Sequence, residues 1–138
     1  VDNETLRIIY EQIQELSNMG EDEQARLLRE FVDTELVPGK LSSSLNFDES
    51  FEIWKKGRLH IAIVEFANEW GLDSQLLEKS VSAFSGPQTA AIPYIDELIA
   101  SVDLSKATNQ PTGSKLSHNM KLVKELPIWI AGVKSKFN

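Results

Sequence analysis

Apolar residues recur every three or four positions along almost the whole of this chain, and that period points to helices rather than strands. Leu6, Ile9, Ile13 and Leu16 mark one stripe, closed by Gly20 as a stop. Ala25, Leu28, Val32 and Leu36 mark a second over residues 21–36. The "VPGK" that follows at 37–40 is a turn: proline presets one backbone position and glycine permits a positive φ. After the polar "LSSSL", Asn46 and Glu49 have the form of a capping box, so a helix is expected to start near Asn46. Phe47, Phe51, Trp54 and Arg58 share a stripe of it. Gly57 inside that helix costs ~1 kcal/mol relative to alanine. It marks either a close approach of another backbone or a break before the next run.

That run, "LHIAIVEFANEW", holds Leu59, Ile61, Ala62, Ile63, Val64, Phe66 and Ala67, and predicts a central helix buried on most sides. Ile and Val also favour strands, but no partner strand occurs elsewhere in the sequence. Gly71 ends the helix and Asp73 caps the next, with Leu76, Leu77, Val81 and Phe84 inward. Pro93 suits the first turn of a further helix carrying Tyr94, Ile95, Leu98 and Ile99. The last helix is expected over about 115–137. Its apolar stripe is Leu116, Met120, Val123, Leu126, Ile130, Val133 and Phe137, with a kink or split at Pro127. The expected fold is therefore all-α, a compact bundle of about six helices forming a single domain over residues 1–138. Residues 1–36 form an acidic helical hairpin and residues 46–138 the core helices.

Composition narrows the chemistry. The chain has no cysteine, which excludes disulfides, thiolate catalysis and cysteine-ligated zinc, and fits a reducing compartment. No apolar run approaches the ~20 residues of a membrane span, so no membrane partner is expected. There is no phosphate-cradling loop, nucleophile elbow or metalloprotease motif. His60 and His118 are the only histidines. His60 reads as a boundary residue satisfied by a backbone carbonyl and His118 as an exposed one. No metal ligand set or catalytic residue is expected. Glu65 and Glu69, four apart on one helix face, read as an exposed acidic strip in preference to an acid–base pair.

The net charge of −7 is unevenly spread. Residues 1–36 carry ten acidic and three basic side chains, whereas residues 113–138 carry one and five. Three basic clusters stand out: Lys40 beside Ser42, Ser43 and Ser44; Lys55, Lys56 and Arg58; and Lys115, Lys121 and Lys124, with Lys134 and Lys136 beyond the proline. These are candidates for phosphate contact on nucleic acid. No base-reading motif accompanies them, so any such contact is to the nucleic-acid backbone and salt-sensitive. The alternative is a polar face that water solvates. Trp54, Trp70 and Trp129 are candidates for packing or for a partner interface.

The stretch "FVDTELVPGKLSSSLNFDESFEIWKKGRLHIAIVEFANEWGLDSQLLEKSVSAFSG" resembles the C-terminal helical region of the motor (R) subunit of type I restriction–modification enzymes. The features that carry the likeness are Val37–Lys40, Ser50–Phe51, Trp54–Arg58, Gly71–Asp73 and Phe84–Gly86. "IPYIDELIASVDLSKA" and "MKLVKELPIWIAGVKSKF" extend it, so that it covers about residues 28–138. The resemblance implies a C-terminal fragment of an ATP-dependent DNA translocase and endonuclease, in accord with a chain that begins at Val1. ATP and magnesium would belong to the parent and no cofactor to this fragment. It implies a non-catalytic, monomeric domain in the bacterial cytoplasm. Its partners would be the methyltransferase and specificity subunits, together with the DNA backbone. The alternative is a protein–protein interaction module with no DNA contact.

Overall fold

The computed structural model describes residues 3–39, 47–109 and 113–137. All regular structure among them is helical: α1 (Asn3–Asn18), α2 (Asp22–Phe31), α3 (Phe47–Trp70), α4 (Ser74–Ala83), α5 (Ile95–Ser101) and α6 (Lys115–Phe137). A π-helical segment, Val32–Leu36, continues α2. Among the described residues the chain is all-α with six helices, in line with the about six that its periodicity predicts. It divides into two compact units, Val1–Lys56 and Gly57–Asn138, and the division falls inside α3.

The first unit is built around Phe31, which is fully buried. Its ring lies 5.5 Å from Phe47, 5.1 Å from Phe51 and 5.4 Å from Trp54. Aromatic pairs at such distances contribute about 0.5–1.5 kcal/mol each beyond their buried area. Ile9 and Ile13 of α1, Ala25 and Leu28 of α2, and Val32 and Leu36 complete the cluster. The π segment is closed by the Val37 N–H, which donates to Val32 O at 2.9 Å, five residues back. The wider turn still leaves Val32 and Leu36 in the core, as their spacing anticipates.

The second unit packs Ile63, Phe66, Ala67 and Trp70 of α3 against Leu77 and Val81 of α4, Leu98 of α5, and Leu122, Leu126 and Ile130 of α6. Asp73 caps α4 as its position predicts, accepting from the Gln75 N–H at 2.9 Å and the Leu76 N–H at 3.1 Å. The turn between α3 and α4 depends on Gly71. Its φ is +73°, and its carbonyl accepts from the Asp103 N–H at 2.9 Å. A Cβ there would stand 2.3 Å from Asp103 O, so only glycine lets the two backbones meet.

Several expectations give way to the fold. α3 runs unbroken through Gly57, and apart from its chain neighbours and the adjoining helix backbone no atom lies within 4 Å of where a Cβ at that position would stand. Neither a helix break nor a close backbone approach accounts for this glycine. The central run has a wet side, with Ile61 50% exposed, because its neighbours cover only the face of Ile63, Phe66, Ala67 and Trp70. Pro93 precedes a helix that begins at Ile95, with Tyr94 at its N-cap in the left-handed region. Of the kink or split expected at Pro127, the split is absent: α6 continues through the proline from Lys115 to Phe137. Its inward stripe is His118, Leu122, Leu126 and Ile130, whereas Leu116, Met120 and Val123 face solvent. Two stripes of apolar character run along this helix, and the packed neighbours select the one containing Leu122. The proposed Asn46 cap lies outside the described residues.

Candidate interaction surfaces

The basic clusters are the first candidates, and the structure sorts them. Lys55 is 7% exposed; its ammonium pairs with Glu52 Oε1 at 2.7 Å and lies 4.7 Å from the centre of the Phe51 ring. A charge held this way, one turn from its carboxylate, is spent on the first unit's own packing. Lys134 is the second cation used internally. Its ammonium donates to Val81 O at 3.0 Å and Phe84 O at 2.5 Å, carbonyls at the C-terminal end of α4, where the Phe84 N–H also reaches Val81 O at 3.3 Å. Lys136 is half-buried, with its ammonium 5.3 Å from the Phe137 ring. Lys56 and Arg58 are exposed, as are Lys115, Lys121 and Lys124 on α6. Lys40 lies outside the described residues.

The tryptophans pack inward to different degrees. Trp70 is 5% exposed and belongs to the second core. Trp54 covers Phe31 at the edge of the first. Trp129 is half-buried and stacks on Phe66, with ring centres 4.2 Å apart. The histidines exchange the roles their sequence positions predict. His60 is exposed. His118 is 5% exposed, with Nε2 3.0 Å from Trp70 O and its ring 5.1 Å from the indole. A histidine amid lysine and serine reads as solvated, but the turn of α6 toward Leu122 carries it inside, where the free carbonyl at the end of α3 receives it.

Two features of the second unit look outward. The first is on α6. Leu116, Met120 and Val123 are 70%, 57% and 43% exposed, and their spacing of four and three places them on one stripe. Single exposed apolar residues are ordinary on protein surfaces; three in line on one helix make a candidate contact surface. Lys124 is one position from Val123, and Lys121 one position from Met120.

The second feature is a groove of about 570 Å³ between α3 and α6. Glu65 and Glu69 line it from α3 and Glu125 from α6, with Phe66, Trp70, Ile128 and Trp129 among its apolar lining. The spacing of Glu65 and Glu69 marks them as a pair on one face; nothing in the sequence signals that Glu125, some sixty positions on, joins them. Among the described residues, no cluster of acidic and histidine side chains is arranged to hold a metal ion.

The Asp103 carboxyl is held below its ordinary range, chiefly by the Ser105 hydroxyl, which donates to it at 2.6 Å, and then by the Ser105 N–H at 3.0 Å. The Tyr10 phenol is raised by desolvation and by the neighbouring Asp33 carboxylate. Neither residue lines the groove.

No known protein family, curated protein or solved structure matches this chain.

Proposed function

We propose that this chain is a non-catalytic assembly domain that docks a protein partner through the outward face of α6. The observation that carries the reading is the exposed stripe of Leu116, Met120 and Val123 on a helix whose inner residues Leu122, Leu126 and Ile130 are completely buried. α6 is thus anchored to its own core on one side while presenting apolar area on another. The matching partner surface is apolar with a carboxylate margin, which Lys121 and Lys124 would meet. Within the resemblance to type I restriction motor subunits, that partner is the methyltransferase–specificity complex, in bacterial cytoplasm. A Leu116→Ser, Met120→Ser, Val123→Ser variant is expected to keep its helical circular dichroism and lose co-purification with that complex. Undiminished association of the folded variant would overturn the reading.

A second reading is supported by the exposure of Lys115, Lys121 and Lys124: contact with the backbone of double-stranded DNA without base specificity. Gel shifts at low salt test it. A Lys121→Glu, Lys124→Glu variant is expected to weaken binding to all sequences alike, whereas the serine variant leaves it in place. Absence of any shift at low salt removes the DNA role for this chain.

A further inference from the structure

The groove between α3 and α6 has a chemistry opposite to that of the basic surfaces. Its apolar part is the Phe66–Trp129 stack, extended by Trp70, whose ring centre is 5.9 Å from that of Phe66. Phe66 and Trp70 are buried, but Trp129 is only half-buried and remains accessible from the groove. Around these rings stand Glu65, Glu69 and Glu125, all exposed, none in an ion pair with a described residue.

An apolar ligand would gain nothing from the three carboxylates, and an anion would be repelled by them. A compact, hard cation such as calcium needs six to eight oxygens at about 2.3–2.6 Å, which these side chains do not gather. What suits a π face bordered by carboxylates is a flat cation with spread charge. A guanidinium stacks on an indole and can donate paired hydrogen bonds to a carboxylate, and it is less strongly hydrated than an ammonium. Glu65 and Glu69, one turn apart on α3, stand where successive donors of one guanidinium, or of neighbouring ones, can reach them.

We propose that this groove receives an arginine side chain from a basic segment of a partner protein, with the guanidinium over Trp129 and paired to Glu65, Glu69 or Glu125. The occupant is argued from charge complementarity and from the accessible aromatic ring together. The proposal uses no residue of the Leu116–Met120–Val123 stripe, so it stands or falls separately from the assembly reading.

The test is calorimetric titration of this chain at physiological salt with a capped glycine–arginine peptide. The Trp129 indole N–H resonance is followed in parallel. Saturable binding with a shift of that resonance is expected. A matched peptide with citrulline, which keeps the shape and removes the charge, is expected to bind at least about tenfold more weakly, as is the arginine peptide to a Glu65→Gln, Glu69→Gln variant. The Leu116→Ser, Met120→Ser variant is expected to bind the arginine peptide unchanged. The glutamine substitutions conserve shape on an exposed helix face, so loss of fold does not confound them. Overturning results are no saturable binding of the arginine peptide, equal affinity for the citrulline peptide, or equal affinity in the glutamine variant.

Discussion

Residue by residue, this chain shows how little a side chain's type says about its use. Lys55 and Lys134 look in the sequence like their neighbours Lys56 and Lys136, yet one is buried against Glu52 and Phe51 and the other closes the end of α4. Lys134→Ala removes a charged donor from two carbonyls, Val81 O and Phe84 O. It should lower the unfolding free energy by about 1–3 kcal/mol, read from urea denaturation. Asp103 gives a pH-dependent counterpart. Its folded-state pKa is depressed, so its contribution to stability is present above the ordinary carboxylate pKa and is lost as pH falls through the folded-state value. Ser105→Ala removes the hydroxyl donor at 2.6 Å, and the Asp103 pKa should move upward, visible in an NMR titration of its carboxyl carbon. An unmoved pKa would assign the depression to another cause.

For whole elements, two glycines make opposite predictions because their surroundings differ. Gly57 lies inside α3 with open space where a Cβ would go. Gly57→Ala should stabilise by about 0.5–1 kcal/mol through helix propensity alone. Gly71 has a positive φ and backbone at 2.3 Å from the same position. Gly71→Ala should destabilise by about 1–3 kcal/mol, by strain and by displacement of the Asp103 backbone. Thermal melts of the two variants check both signs. α6 carries the other lesson at this scale. Its sequence supports two apolar stripes sharing Leu126 and Ile130, and the choice between them turns His118 inward and Leu116 outward. Helical spacing says which residues share a face; it does not say which face meets the core.

Across the whole molecule, the net charge of −7 opposes polyanion binding except where cations gather locally. If Lys115, Lys121 and Lys124 alone meet phosphates, the logarithm of DNA affinity should fall with the logarithm of salt at a slope of about −3 or shallower. A much steeper slope would require cations beyond α6.

The sequence by itself determined that the chain is helical, where most helices begin and end, and how Asp73 caps and Gly71 stops, because these depend on residues a few positions apart. It determined the stripes Ile9–Ile13 and Leu28–Val32 for the same reason. Only the tertiary structure decided the rotation of α6, the internal use of Lys55 and Lys134, and the meeting of Glu65 and Glu69 with Glu125 beside the Phe66–Trp129 stack. The rotation, the Lys134 contacts and the carboxylate groove join segments dozens of residues apart, and Lys55 is buried by the way α3 packs. The rotation of a helix about its own axis is fixed by the surfaces it packs against, which its own period does not contain.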